Sequence, residues 1–267
     1  MNELVEEMLR GAYDLHVHAA PDGSQLRRMD ALEVARCAYE AEMGGFVLRS
    51  QDYNTVPLTY ALNQMYPGLS VFGSITLNSA VGGINPDAVQ VAAGLGAQVV
   101  SMPSQDYNRV RVTDDNGNLT AGVREALEII AANDMTLVSG RISSSEAIAL
   151  FAAAKDAGIE RLIATPHTFA VATPDEQHRI IALGAYAEFA FLACMPSRAT
   201  MTPQQLVKTI RAIGARHCII TTALGQWQNP PPAEGMRMAI AALLDCGMPP
   251  AEVSVLVKGN TAALLGK

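Results

Sequence analysis

The chain has 267 residues, 49% of them hydrophobic and 17% charged, and a formal net charge of −7. This length can bury a substantial core and suits one large α/β domain or two small ones. The acidic balance, with no Lys/Arg cluster, excludes a nucleic-acid-binding stripe, and no apolar run reaches the ~18 residues of a membrane span. The four cysteines, Cys37, Cys194, Cys218 and Cys246, lie far apart with no C-x-x-C spacing. They read as free thiols in a reducing compartment. The opening MNELVEEMLRG is acidic and amphipathic, unlike a signal or transit peptide, so a cytoplasmic protein is expected.

Along the chain, short β-branched runs alternate with Ala-rich amphipathic stretches. Strands are predicted at 13–18, 45–50, 70–77, 97–103, 135–140, 161–166, 187–193 and 217–222. Helices are predicted at 30–43, 55–66, 86–95, 121–133, 144–157, 175–184, 203–214 and 233–246. Ser143 to Glu146, Thr173-Pro174-Asp175-Glu176 and Thr202-Pro203 mark helix starts. Gly44, Gly68, Gly96, Gly158, Gly184 and Gly214 close helices or lead into the next strand. Eight strands alternating with eight helices predict a single α/β domain over 1–267, a (β/α)8 TIM barrel. An open doubly wound sheet is the alternative, but it often carries a Gly-rich loop after its first strand, where this chain has His-x-His. The longest irregular connection is PSQDYNRVRVTDDNGNLTAG. Its alternating RVRVT, followed by Asp115-Asn116-Gly117-Asn118, predicts a small hairpin over the barrel mouth.

Barrel chemistry takes place at the C-terminal strand ends, and polar residues collect there. His16 and His18 end the first strand, and their period-two spacing puts both on one face, with Asp14 expected on that face one pleat earlier. Arg49, Ser50 and Gln51 end the second strand, Thr76 and Asn78 the third, and Ser101 and Ser104 the fourth. Arg141 follows the fifth strand, His167 the sixth, and Thr221-Thr222 with LGQWQNP the eighth. His178, on a helix, and His217, at the start of a strand, are read as structural.

The D-x-H-x-H that closes the first strand resembles the amidohydrolase superfamily. Longer stretches resemble one poorly characterised bacterial branch of small predicted amidohydrolases: DLHVHAAPD, GGFVLRSQDYNT, SITLNSAVGGINPDAV, VSMPS, LVSGRISSSE, ATPH, TTALGQWQNPPPAEG and GNTAALL. Together they run from about residue 13 to 266. The resemblance implies a barrel holding one or two divalent metals, usually zinc. The ligands would be the two strand-one histidines, a lysine or carboxylate from a middle strand, histidines from strands five and six, and a strand-eight aspartate. The metal would activate water and the aspartate would move its proton.

This chain departs from that pattern. Arg49 stands at the lysine position, Gln51 and Arg141 at histidine positions, and Ala223 at the aspartate position. Arginine stays protonated and is no metal ligand. A disabled metal site with His16, His18 and His167 remaining is therefore expected, with no cofactor, or with a zinc on those three histidines. Three readings compete. In the first, a metal-independent hydrolase opens a small anionic lactone or cyclic amide. His16, His18 and His167 do acid–base work, and Arg27, Arg49, Gln51, Asn78, Arg141 and Gln226 bind substrate. The second is a non-catalytic relative that binds a ligand or supports an active paralogue. The third is a mononuclear zinc enzyme. Ion pairing of the arginines with Asp14, Asp22 or Asp52 is the structural alternative to anion binding. The expected partner is a small anionic molecule, neither nucleic acid nor membrane, and the chain is expected to form a homo-oligomer, or an oligomer with a paralogue.

Overall fold

In the computed structural model of the chain, residues 2–105 and 109–267 are described. The elements run α1 (Asn2–Leu9), β1 (Tyr13–Val17), α2 (Ala31–Glu40), β2 (Gly45–Leu48), α3 (Val56–Met65), β3 (Ser70–Phe72), β4 (Ser74–Thr76) and α4 (Pro86–Gly94). Next come β5 (Val99–Ser101), α5 (Ala121–Ala132), β6 (Thr136–Val138), α6 (Ser144–Asp156), β7 (Leu162–Ala164), α7 (Pro166–Val171) and α8 (Pro174–Ala182). The chain ends with β8 (Ala185–Ala190), α9 (Pro203–Ile213), β9 (Cys218–Thr221), α10 (Pro232–Asp245), α11 (Pro250–Ser254) and α12 (Asn260–Leu264).

Each predicted strand is present, the third split into β3 and β4 around Gly73. The seventh starts two residues earlier than predicted, and Phe191–Cys194 is a 3-10 turn. The eight predicted helices are present within a few residues. Their predicted starts are real caps: Ser143, Thr173 and Thr202 each form a capping box with Glu146, Glu176 and Gln205. Five of the six helix-closing glycines have positive φ; Gly44 does not. Sequence patterning missed α1, α7 and the C-terminal pair α11 and α12, which a π-helical stretch, Val255–Gly259, joins. These segments are too short to show a clear 3.6-residue period.

The chain divides into two compact units, Met1–Arg49 with Leu58–Phe72 and Phe189–Lys267, and Ser50–Pro57 with Gly73–Glu188. In the first, β1, β2 and β3 pair in parallel, with Tyr13 opposite Gly45 and Gly45 opposite Ser70. Leu224, just past β9, pairs in parallel with Val17. Its core holds the fully buried Leu9, Leu15, Phe46, Leu48, Leu62, Met236 and Ile240, each contributing roughly 1.5–3 kcal/mol by burial. Arg237 of α10 holds α1 through Glu6, at 2.6 and 3.2 Å.

In the second unit β4, β5, β6, β7 and β8 pair in sequence order, all parallel. The central strands β5, β6 and β7 are buried throughout, as strands covered on both faces should be. Ile75, Met102, Ile130, Leu137 and Phe151 fill its core. The predicted hairpin is reduced to one antiparallel bridge, Thr113 with Leu119, closed by Asp114, whose side chain accepts from the Asn116 and Asn118 amides. Residues 106–108 of that connection lie outside the described residues.

Candidate functional site

In the first unit the site is built on a break in β1. The register with β2 shifts between Asp14 and Val17. Asp14 and Val17 consequently line one narrow gap, together with Val34 and Ala38 of α2, Phe46, and Pro232 and Ala233 of α10. With an extra residue in β1 between Asp14 and Val17, simple alternation no longer sets the face of Asp14 relative to that of His16 and His18. The Asp14 carboxylate is a fixed anchor. It accepts from the His16 amide at 3.1 Å, the Thr222 amide at 3.0 Å and the Thr222 hydroxyl at 2.5 Å. It thereby ties the end of β9 to the strand that carries the histidines.

His16 and His18 face each other, Nε2 to Nε2, at 3.2 Å, with their rings edge to face. His18 Nδ1 lies 3.0 Å from the Arg49 carbonyl oxygen. A carbonyl only accepts, so Nδ1 carries the proton. Burial first, then the charges of His16, Arg27 and Arg49, push His18 well below the ordinary imidazole range, against the opposing pull of the Arg49 carbonyl. The ring is therefore neutral, its Nε2 holds a lone pair, and the proton between the rings belongs to His16 Nε2.

Arg49 is buried and donates from Nε to the Leu15 carbonyl at 3.0 Å. The loop after β1 folds around Asp22, which accepts from the Ser24 amide and hydroxyl, the Gln25 amide and Arg27 Nε, the last at 2.6 Å. Arg27 also reaches Asp22 through Nη2, and the two side chains are 2% and 3% exposed. Burial alone would raise the Asp22 carboxyl, but these hydrogen bonds outweigh it and hold it below its usual range. The expected alternative of ion pairing thus holds for Arg27, with Asp22 as its partner.

The LGQW stretch lies against this loop and β1. Leu224 accepts from the His18 amide, Gly225 from the Arg28 amide, and Leu26 from the Trp227 amide. Gly225 has φ +140°, and a Cβ there would overlap the His18 carbonyl oxygen, so only glycine fits. The Gln226 side chain closes its own turn, donating to the Ala223 carbonyl and accepting from Asn229, which in turn accepts from Ser197. Trp227 is 61% exposed and Leu26 74%.

The second unit has its own polar group. Asn78 is 1% exposed and uses its amide fully: it donates to the Gln51 carbonyl and side chain and accepts from the Ser104 and Gln105 amides. Gln51 accepts from the Ser104 hydroxyl as well. Gln51 and Asn78 thus organise the loops after β2, β4 and β5. Arg141 is exposed and His167 half-buried. Partial burial and then the Arg141 charge lower the His167 pKa. Their loops are fixed by buried hydroxyls. Thr165 Oγ1 donates to the Gly140 carbonyl, Thr168 Oγ1 donates to that of Ile142, and Ser139 Oγ accepts from the Thr165 amide. Gly140 has φ +68°, and a Cβ there would overlap the Met102 carbonyl oxygen. Sequence reasoning passed over Glu188, 1% exposed in β8; its only signal was a lone acid in an apolar run.

Two imidazole nitrogens 3.2 Å apart match the bite of two ligands on one tetrahedral zinc, where bonds of about 2.0–2.1 Å give about 3.3 Å. A catalytic zinc takes three protein ligands. Among the described residues no group of three His, Cys, Asp or Glu side chains is arranged to hold one. Ala223 offers no donor, and the charges acting on His18 are those of cations. Among the described residues, no helix is long and apolar enough to cross a membrane.

Solved structures share this fold across nearly the whole chain. An amidohydrolase from Pseudomonas aeruginosa has 12% identity and a TM-score of 0.72, covering 98% of this chain and 97% of that one. The phosphotriesterase homology protein from Escherichia coli, complexed with phosphate in its active site, has 12% identity and a TM-score of 0.69, covering 96% and 99%. A probable 2-pyrone-4,6-dicarboxylic acid hydrolase from Acinetobacter baumannii, with citric acid bound, has 12% identity and a TM-score of 0.64, covering 96% and 100%. The fold is a (β/α)8 barrel. No curated protein matches the sequence. Residues 11–188 match the model of a family described only as a family of unknown function, DUF6282, and the chain belongs to that family.

Proposed function

We propose that the protein is a hydrolase that opens a small anionic cyclic substrate, a lactone or cyclic amide, without a metal. The observation that carries this is the close histidine pair at the end of β1, with His18 held neutral among guanidiniums. When His16 is neutral its Nε2–H points at His18 and its Nδ1 is the basic nitrogen. It takes a proton from water as the water oxygen attacks the ring carbonyl. Arg49 stabilises the oxyanion that forms. The ring C–O or C–N bond then breaks, and the leaving atom takes the proton back from His16. His18, locked on the Arg49 carbonyl, keeps His16 oriented. Structures of the same fold support an anionic ligand: one carries citric acid and another phosphate. Ala223 favours a second reading, ligand binding without turnover, because no carboxylate stands there.

The test is ring opening of a panel of carboxylated lactones and cyclic amides, using untagged protein purified without chelators. We expect turnover that EDTA leaves unchanged and that His16→Ala lowers by about 10²–10⁴-fold. About one metal per chain, lost together with activity in EDTA and in the His16→Ala, His18→Ala variant, would sink the metal-free mechanism. Thermal stabilisation by panel members without any turnover would favour the ligand-binding reading.

A further inference from the structure

Arg27 has a donor that the described residues leave unused. Asp22 occupies its Nε and Nη2. Nη1 is buried and, among the described residues, has no hydrogen-bond partner. A buried N–H without an acceptor is costly, and native proteins rarely keep one without a use for it. The position of this donor is fixed. Arg27 forms an antiparallel bridge with Gln226, Arg28 donates to Gly225, and Leu224 accepts from the His18 amide. Arg27 therefore lies one strand's breadth from the end of β1, and its charge is felt at His18.

We propose that Arg27 Nη1 is the docking donor for an oxyanion group of the ligand, a carboxylate or a phosphate, held beside the histidine pair. Asp22 is the positioning residue: it occupies one edge of the guanidinium and turns the other corner toward the ligand. The inference rests on the proposed function only in taking that oxyanion to be part of the substrate; the binding itself needs no catalysis.

Isothermal titration tests this with two probes, citrate and inorganic phosphate, on the full chain. Wild type should bind one or both saturably. Arg27→Gln should weaken binding by about 10- to 100-fold, as loss of a charge-assisted hydrogen bond does. Arg27→Lys should fall between, since it keeps the charge without the fork, and Arg28→Gln should match wild type. Citrate alone binding assigns a carboxylate, phosphate alone a phosphate. Should Arg27→Gln fail to fold with Asp22 left alone, the Asp22→Asn, Arg27→Gln double variant removes both charges and is titrated instead. Folded wild type that binds neither probe overturns the proposal, as does equal binding by wild type and the Arg27 variants. Citrate bound through Arg27 with no ring opening would retire the hydrolase reading and leave this one. Turnover whose KM ignores Arg27→Gln would do the reverse.

Discussion

A single absent methyl group governs the end of β1. Gly225 presses its Cα against the His18 backbone, and the LGQW stretch can seal the strand end only because no Cβ intervenes. Gly225→Ala should destabilise the protein by about 2–4 kcal/mol, the combined cost of an unsuitable φ and a steric overlap with backbone. Gly96→Ala is the control: φ is +96° there, but nothing lies within 4 Å of the methyl group that alanine would add. It should cost only about 1–2 kcal/mol. Urea denaturation of both variants measures the difference, and equal losses would mean that the close approach to His18 does not matter. The same scale shows why the polar strand-end residues have different roles. Asn78 looks like a ligand-binding residue in the sequence, yet its four hydrogen-bonding capacities are all used within the protein. Arg27, by contrast, keeps one buried donor without a protein acceptor among the described residues.

Elements here are joined by side chains that reach far along the sequence. Asp14 in β1 holds Thr222 just past β9, 208 residues away. The C-terminal helical stretch is attached in a similar way. Asn260, at the start of α12, is 8% exposed and donates from Nδ2 to the Ala215 carbonyl at 2.9 Å and to the Cys218 carbonyl at 2.7 Å. This gives the GNTAALL stretch a physical role: the asparagine pins the last helix to the beginning of β9. Asn260→Ala should cost about 2–4 kcal/mol, because two carbonyls at a buried strand start lose their donor. Chemical denaturation reads that loss, and turnover per folded molecule should be unchanged, since Asn260 bonds to the start of β9 and not to the histidine pair. A stability change within about 0.5 kcal/mol of wild type, typical of a surface position, would contradict the pinning role.

For the whole molecule, acid stability follows from the histidines. An unfolded chain protonates His18 as pH falls below about 6.5, while the folded chain keeps it neutral to well below that value. The unfolded state therefore binds more protons, so stability declines as pH drops through this window and is insensitive to His18 above it. His167 is shifted in the same direction and adds to the effect. Carboxylates such as Asp22 and Glu176, lowered by their hydrogen bonds, act in a separate window below their ordinary values. Between about pH 6.5 and about pH 5 the unfolding free energy of wild type should fall by up to about 1.4 kcal/mol per pH unit on account of His18, with a smaller contribution from the partly exposed His167. His18→Gln should flatten that slope. An unchanged slope would mean that His18 takes up a proton without cost to the folded state.

The order and extent of the main strands and helices are legible in the amino-acid order alone. Burial period, N-caps such as Ser143 and Thr202, and helix-ending glycines are local signals and survive without a tertiary context. Spacing likewise places His16 and His18 side by side at a strand end. How those residues are used emerges only on folding. The packed chain breaks the β1 register between Asp14 and Val17, gives Arg27 its Asp22 partner, and sets the tautomer of His18 through a carbonyl 31 residues away. A polar side chain's role depends on which donors and acceptors the folded loops bring within about 3 Å, and residue type and spacing do not encode that.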